Sequence, residues 1–142
     1  MERCAAVNLF PLKIVTPGGL RFDGQAQSIK VRSIVGDVTI LAGHINYVVP
    51  LGMGEAAVTL TEEKRYGACI GGMLHVVGGN ATLVSTSFEW AEDIDTQRAG
   101  ASETRARKIM EDPAATDTDR KMAAARLKRA LIRQNVVSRR SK

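Results

Sequence analysis

The stretch EWAEDIDTQRA, from Glu89 to Ala99, marks the point at which this sequence changes character. Before it, short runs of alternating apolar residues are separated by glycines, which is typical of β-strands and turns. After it, alanine and arginine recur at helical spacing. We therefore predict two units, a β-rich unit at residues 1–88 and a helical unit at residues 89–142.

The positive charge is confined to the helical unit. The 142-residue chain carries a formal net charge of +5. Residues 1–90 hold seven basic and seven acidic residues, whereas residues 91–142 hold thirteen basic and eight acidic ones. This imbalance predicts an acidic or anionic partner for the helices without identifying it. The apolar runs are short and interrupted by glycine, so we expect no membrane-spanning segment and no secretory signal.

The first ninety residues predict about ten short strands. Alternating runs extend from NLFPLKIVTP to ATLVS, and we interpret the glycine-containing groups between them as turns. These groups include Thr16–Gly19, Gly52–Gly54, Gly71–Gly72 and Gly78–Asn80. No helical pattern interrupts the runs, which argues against a parallel α/β sheet. The predicted fold is α+β in two parts, an N-terminal antiparallel β-sandwich or barrel followed by a C-terminal antiparallel helical hairpin.

The sequence pattern contains no arrangement typical of an active site. His44 and His75 lie far apart and have no cysteine or carboxylate at metal-ligand spacing. No elbow motif surrounds any serine. Cys4 and Cys69 do not make a disulfide framework, which favours a reducing compartment. We therefore expect no enzyme, no metal site and no required cofactor.

The first helix has recognisable start and stop signals. Asp93 is predicted to cap a helix that begins at Ile94, with Asp95 in its first turn, where the helix dipole favours negative charge. The helix should stop at Asp112, because Pro113 disfavours helix in the residue before it.

The second helix is predicted to open at Thr116, with Asp119 three residues on, and to continue to about Arg139. So short a connection predicts that the two helices pack antiparallel as a hairpin. The predicted apolar stripe of this helix consists of Met122, Ala125, Leu127, Ala130, Leu131, Gln134 and Val137.

Arginines share one face of each helix. Arg98 and Arg105 are two helical turns apart, and Arg126, Arg129 and Arg133 are spaced i, i+3 and i+7. If the helices fold back on each other, both faces converge on one volume. The guanidinium groups there would repel each other unless an anion lay between them, and arginine suits bidentate binding to phosphate.

Two other interpretations of these basic residues remain open. The first is a solvated basic face whose arginines pair with Glu103, Glu111 or Asp119, and spacing by itself favours it. The second is a nucleic-acid-binding protein that uses the hairpin as its contact surface. Aromatic residues for stacking bases are few, and acidic residues before Arg98 would repel phosphates, which argues against nucleic acid.

A third feature lies in the β unit. The segment Arg32–Gly36 places Ile34 and Val35 at a predicted hairpin tip. Exposed apolar tips often mark contact surfaces. The same side chains could also fold back onto the core, and both interpretations stay open at this stage.

The sequence resembles the epsilon subunit of bacterial rotary ATP synthases over essentially the whole chain. FPLKIVTPGGLRFDG, GDVTILAGHINYVVPL and CIGGMLHVVGGNATLVS resemble the strand motifs of that family in the same order. AEDIDTQRA contains the family's Ile/Leu-Asp-x-x-Arg-Ala motif. The sequence departs from the family pattern at Asp37, Thr39, Ala42 and His75, and its hairpin tip is more apolar.

The resemblance implies a non-catalytic subunit of a proton-translocating ATP synthase, held peripherally at the cytoplasmic face of the bacterial inner membrane. The β unit would bind the gamma subunit and the ring of c subunits, and so couple rotation to the catalytic head. The hairpin would switch between a compact and an extended form, and the extended form would inhibit ATP hydrolysis at a beta subunit. The implied contacts with gamma and the c-ring are Arg32, Ser33, Ile34, Val35 and His44. The implied contacts with beta are Arg126, Lys128, Arg139 and Arg140.

In family members that bind ATP on this subunit, the nucleotide lies between the helices as a sensor rather than a substrate. The resemblance thus implies ATP as a regulatory ligand. The positions matching that site are Glu89, Ile94, Asp95, Arg98, Ala99, Arg105, Arg129 and Arg133.

Overall fold

The computed structural model of the chain describes residues 8–140, with side chains to residue 139, and Cys4 lies outside this range. Seven strands precede two helices, α1 (Thr96–Glu111) and α2 (Asp117–Arg140), and a short 3-10 helix at Ala91–Asp93 leads into α1. The strands are β1 (Phe10–Thr16), β2 (Gly19–Ala26), β3 (Ser28–Ser33), β4 (Gly36–Leu41), β5 (Tyr47–Thr59), β6 (Lys64–Val77) and β7 (Asn80–Trp90).

The strands form one sheet in the order β2-β1-β7-β6-β5-β3-β4. Neighbouring strands run antiparallel except β1 and β7, which are parallel. Leu12 of β1 and Ile29 of β3 belong to the same buried cluster although their strands lie far apart in the sheet order. The sheet must therefore curl around a shared core. This architecture confirms the predicted β-sandwich followed by a helical hairpin.

The predicted number of about ten strands is wrong, because two pairs of predicted strands are continuous. β5 and β6 run through Gly52–Gly54 and Gly71–Gly72, which the sequence pattern indicated as turns. Gly72 has a φ of +121°, and a Cβ placed there would lie 2.1 Å from the carbonyl oxygen of Val84. This glycine therefore permits a close approach between strands rather than a reversal of the chain.

Helix α1 begins at Thr96 and not at the predicted Ile94, and its N-cap is not the predicted Asp93. Asp95 is the N-cap, since its Oδ1 accepts a hydrogen bond of 3.0 Å from the amide of Arg98. Ile94 is extended and buried, so it cannot be the first helical residue. The predicted end is confirmed: α1 stops at Glu111, two residues before the proline.

Helix α2 opens as the sequence predicted. The Thr116 hydroxyl accepts a hydrogen bond of 3.0 Å from the Asp119 amide, and Asp119 Oδ2 accepts one of 3.2 Å from the Thr116 amide. This reciprocal pair satisfies two amides at the start of the helix that would otherwise lack a partner.

The apolar stripe predicted for α2 is partly wrong. Met122 and Leu131 are exposed, whereas Ala123 and Val136 are buried. Ala123 lies near α1, close to Ile109, while Val136 packs in a cluster on the sheet. The buried side of α2 thus changes along its length, because its two halves pack against different elements.

The second half of α2 lies across three strands. Glu55 of β5, Ala68 of β6 and Glu89 of β7 are direct neighbours and form one row, which we call the acidic row. Arg139 Nε lies 3.3 Å from Glu55 Oε2 at one end, and Arg133 Nε lies 2.5 Å from Glu89 Oε1 at the other. The helix therefore makes an ion pair at each end of the acidic row.

Val136 completes this contact between the two ion pairs. Its side chain is fully buried in a small cluster with Ala68, Ala91 and Ile94. Residues 133, 136 and 139 rise about 9 Å along a helix, and two strand spacings measure about 9.6 Å. The helix rise and the strand spacing therefore match. Arg133 pairs with Glu89, Val136 packs near Ala68, and Arg139 pairs with Glu55.

Replacing Val136 with alanine should weaken the docking of α2. The loss of two buried methyl groups costs about 1.6 kcal/mol at about 0.8 kcal/mol per group. Amide hydrogen exchange should show this loss as faster exchange over residues 127–139, where α2 lies on the sheet. Met122→Ala, in the exposed part of the same helix, is the control. Equal exchange in both variants would contradict this account of the docking.

Candidate functional site

A cavity of about 710 Å³ lies between the sheet and the helical hairpin. Its sheet side consists of Thr16, Pro17, Gly18, Arg21, Thr86, Ser87, Phe88 and Glu89. Its hairpin side consists of Asp93, Asp95, Arg98, Ala99, Ser102, Arg105, Ala106, Ile109, Arg126, Arg129 and Arg133. The cavity therefore exists because α2 is docked on the sheet and holds α1 in place.

The structure brings seven of the eight sequence-predicted nucleotide residues to this cavity. They are Glu89, Asp95, Arg98, Ala99, Arg105, Arg129 and Arg133. Ile94 is the exception, since it is buried in the cluster around Val136. Its contribution is to fix the entry of the chain into α1, next to the capping Asp95.

Ion pairing separates the arginines of the cavity from the others. Among the residues that the structure describes, every arginine outside the cavity has a carboxylate partner: Arg32 with Asp37, Arg65 with Glu92, Arg107 with Glu103, Arg120 with Asp117, and Arg139 with Glu55. Five cavity arginines form no ion pair within the same range: Arg21, Arg98, Arg105, Arg126 and Arg129. Apart from Arg133, the arginines that converge on the cavity therefore have no carboxylate partner among the described residues.

The cavity has a large excess of positive charge. Six arginines line it, against the three carboxylates of Glu89, Asp93 and Asp95, which leaves an excess of three positive charges. Glu89 is already paired with Arg133, and Asp95 accepts the Arg98 amide. An anion that enters would meet guanidinium groups with free donors, and charge-assisted hydrogen bonds to such groups are among the strongest in proteins.

The acidic residues that could have neutralised these arginines act elsewhere. Glu103 accepts hydrogen bonds from Gln134 and Arg107, which lower the pKa of its carboxyl group in that order of importance. Asp119 caps α2. Glu111 forms no ion pair within the described part of the chain. The cavity arginines of the helices therefore do not form the ion pairs with Glu103, Glu111 or Asp119 that the basic-face interpretation required, although Arg98, Arg105 and Arg126 are exposed as it expected.

Two cavity arginines were not among the residues that the resemblance assigned to the nucleotide. The spacing of Arg126 had nevertheless placed it on the face expected to converge with that of α1. Arg126 was expected to contact a beta subunit, but it lines the cavity. Its helical spacing with Arg129 and Arg133 was the available signal. Arg21 comes from β2, and no local pattern distinguishes it from other strand arginines.

The other basic residues expected to contact partners lie apart from the cavity. Lys128 and Arg139 line a groove of about 880 Å³ between α2 and the sheet, together with Arg32, Ser33 and Ile34. The structure thus brings residues of two predicted partner surfaces to one groove. The side chain of Arg140 lies outside the described residues.

The predicted hairpin tip is a two-residue turn that joins β3 and β4. Ile34 and Val35 are 67% and 77% exposed, so they do not fold back onto the core. Ser33 stabilises the turn, because its hydroxyl donates to the Gly36 carbonyl and accepts from the Val35 amide. His44 lies beyond the opposite end of β4, so the structure does not bring it to the tip.

A row of apolar residues, exposed except for the half-buried Val15, adjoins this tip and was not predicted. Direct neighbours across five strands are Leu20, Val15, Val84, Met73 and Pro50, and we call them the apolar row. The Ile34 amide donates to the Pro50 carbonyl, which joins the row to the tip. Contiguous exposed apolar surface of this kind marks interaction sites.

Two negative findings bound the site chemistry. The described residues contain no group of histidine, cysteine and acidic side chains that could hold a metal ion. Within residues 8–140, no helix has the length and apolarity needed to cross a membrane.

Cys69 is buried beside Ser85, and burial raises the pKa of its thiol, so it is an unreactive core residue.

Sequence comparison identifies relatives for both parts of the chain. Residues 9–91 match the family described as ATP synthase, Delta/Epsilon chain, beta-sandwich domain. The ATP synthase epsilon chain of Caldicellulosiruptor bescii is 36% identical over 124 residues, which cover 87% of this chain and 90% of that protein. The ATP synthase epsilon chain of Bacillus cytotoxicus is 35% identical over 127 residues, with coverage of 89% and 95%.

Solved structures share the fold. A chain of the Euglena gracilis mitochondrial ATP synthase, from a structure of OSCP, F1 and the c-ring, aligns with a TM-score of 0.79 at 18% identity, covering 96% of this chain and 86% of that one. A chain of the Tetrahymena thermophila mitochondrial ATP synthase, from a structure of the central stalk and c-ring, aligns with a TM-score of 0.58 at 14% identity, with coverage of 89% and 95%. At these identities the likeness concerns the fold alone.

Proposed function

The chain belongs to the ATP synthase epsilon chain family, and from this premise we propose that it is a central-stalk subunit whose helical hairpin closes over ATP. The chain is a non-catalytic subunit of the enzyme complex. The finer proposal has three parts: a regulatory nucleotide site, contacts of the β unit with the rotating stalk, and inhibition of ATP hydrolysis by the hairpin. The complex would hold the subunit peripherally at the cytoplasmic face of the bacterial inner membrane.

The proposal of a nucleotide site is supported above all by the five arginines without ion pairs around one cavity. A triphosphate would replace their mutual repulsion with charge-assisted, bidentate hydrogen bonds. The cavity volume of about 710 Å³ lies in the ordinary range for a small-molecule site. The described lining of the cavity contains no catalytic arrangement beside the arginines, so ATP would be a bound signal and not a substrate.

Ligand binding would favour the compact form. Arg98 and Arg105 come from α1, whereas Arg129 and Arg133 come from α2. A ligand that binds all four ties the two helices together and excludes arrangements in which they separate. By linkage, anything that binds the closed form but not the open one stabilises the closed form.

The proposed stalk contacts are supported by exposed apolar surface. The tip at Ile34 and Val35 continues into the apolar row, and together they form an uncovered band on the β unit. We propose that this surface contacts gamma and the c-ring, with Arg32 and Ser33 at its edge. His44 lies on another loop, so it would belong to a separate contact.

The proposed inhibition is supported by the ion pairs of α2. Arg133 and Arg139 bind the carboxylates of the acidic row in the compact form. If the hairpin leaves the sheet, these basic side chains need other carboxylates. An acidic segment of a beta subunit would supply them, with Arg126, Lys128 and Arg140 adding to the attraction.

ATP affinity should depend on the unpaired arginines. Arg98→Ala and Arg129→Ala should each lower it by about ten- to hundredfold, because a hydrogen bond to a charged group is worth about 1.5–3 kcal/mol. Isothermal titration of the isolated chain with ATP measures the effect. Arg107→Ala, which removes an ion-paired arginine of the same helix, should leave affinity unchanged. Equal affinity in all variants would remove the proposed site.

Charge at the tip should disrupt the stalk contact. The double variant Ile34→Asp, Val35→Asp should retain at least tenfold less gamma and c-ring in a reconstituted pull-down, because desolvating a carboxylate in an apolar interface is costly. The double variant Met110→Asp, Met122→Asp, which adds the same charge at exposed positions of the two helices, is the control. Undiminished capture by the tip variant would contradict the assignment of this surface.

Removal of the hairpin should raise ATP hydrolysis by the assembled complex. The shortened chain should end at Asp93, because Trp90 and Ala91 are buried and their loss would damage the β unit itself. The measurement compares steady-state ATPase rates of complexes assembled with the full and the shortened chain. Equal rates, with equal incorporation of both chains, would argue that the hairpin does not regulate hydrolysis.

A further inference from the structure

Arg21 occupies an irregular position in the sheet. In the pairing of β1 with β2, Ile14 lies opposite Phe22 and Val15 lies opposite Leu20, so Arg21 is an extra residue without a partner on β1. This is a β-bulge, and bulges next to functional sites commonly redirect a side chain. Here the redirected side chain lines the cavity under the hairpin.

Neighbouring groups hold this bulge in place. The Trp90 indole donates a hydrogen bond of 3.0 Å from Nε1 to the Arg21 carbonyl. Trp90 itself is buried and packs edge-on against Phe22 and Phe88. The backbone of the bulge is thus anchored to a buried tryptophan of the core, which fixes the origin of the arginine side chain.

The turn before the bulge leaves room for the guanidinium group. A Cβ placed on Gly18 would lie 3.0 Å from Arg21 Nη2, so a larger residue there would press on the guanidinium group. The side chain therefore folds over the Pro17–Gly18 turn at the cavity wall. No carboxylate pairs with Arg21 among residues 8–139, in contrast to Arg32 of β3, which pairs with Asp37.

We propose that Arg21 binds the phosphate chain of the ligand from the sheet side, opposite the arginines of α1 and α2. This inference rests on the proposed nucleotide site and adds the β unit to it. The ligand is then enclosed between the sheet and both helices, so its binding requires the hairpin to lie on the sheet and not merely to be folded. A bulge that turns an unpaired arginine into an anion-binding cavity is the observation that carries the assignment.

The test compares Arg21→Gln with Arg32→Gln, which removes a sheet arginine outside the cavity. Equilibrium dialysis with ATP and with inorganic tripolyphosphate measures binding by the full chain. We expect affinity for both ligands to fall about tenfold in Arg21→Gln and to stay unchanged in Arg32→Gln. Arg21→Lys, which keeps the charge but not the bidentate geometry, should show an intermediate loss.

The other outcomes are decisive in different ways. Unchanged ATP affinity in Arg21→Gln would overturn the role of Arg21 and leave the nucleotide site standing. A loss for ATP with none for tripolyphosphate would show that Arg21 does not meet the phosphate chain. Absence of ATP binding by the unsubstituted chain would overturn the proposed site and this inference together. Thermal unfolding should be the same for Arg21→Gln and the unsubstituted chain, since the bulge is anchored through the backbone.

Discussion

The contact between α2 and the acidic row is the interaction on which the rest of the structure depends. It places a helical wall opposite the sheet, and the cavity is the space left between them. The contact consists of two partly exposed ion pairs, which contribute about 0.2–1 kcal/mol each, and one small apolar cluster around Val136. These contacts define the position of α2 on the sheet. Because they are few, the free energy that holds the helix there is small. A ligand or a competing partner can therefore shift it.

Electrostatics links this docking to the candidate site. Arg133 belongs to both, because it pairs with Glu89 of the acidic row and lines the cavity. The docked hairpin gathers six arginines around three carboxylates, and their repulsion would oppose the proposed closure until an anion enters. The proposed ligand would thus offset the repulsion among the arginines that closure creates. In the proposed extended form, Arg133 and Arg139 would be available to other carboxylates, so one set of basic side chains would serve the compact form and the proposed partner.

Signals that act over a few residues predicted the fold well. Pro113 ended α1, and Thr116 with Asp119 opened α2, because these effects depend on neighbouring backbone groups. Glycines were harder to interpret, since a turn and a close approach between strands both require glycine. Gly72 lies inside β6, where the Val84 carbonyl of the next strand leaves no room for a side chain. The excess of predicted strands follows from that ambiguity.

The sequence by itself determined the two-part architecture, the helical hairpin and the faces on which Arg98, Arg105, Arg129 and Arg133 lie. These features follow from periodicity and local hydrogen bonding, which a linear pattern records. Only the tertiary structure decided that α2 crosses the acidic row, that Arg21 reaches the cavity through a bulge, and that the apolar row continues the tip. The acidic row and the apolar row depend on the register between paired strands, and the bulge depends on the pairing of β1 with β2. A shift of one residue would turn the same side chains to the opposite face.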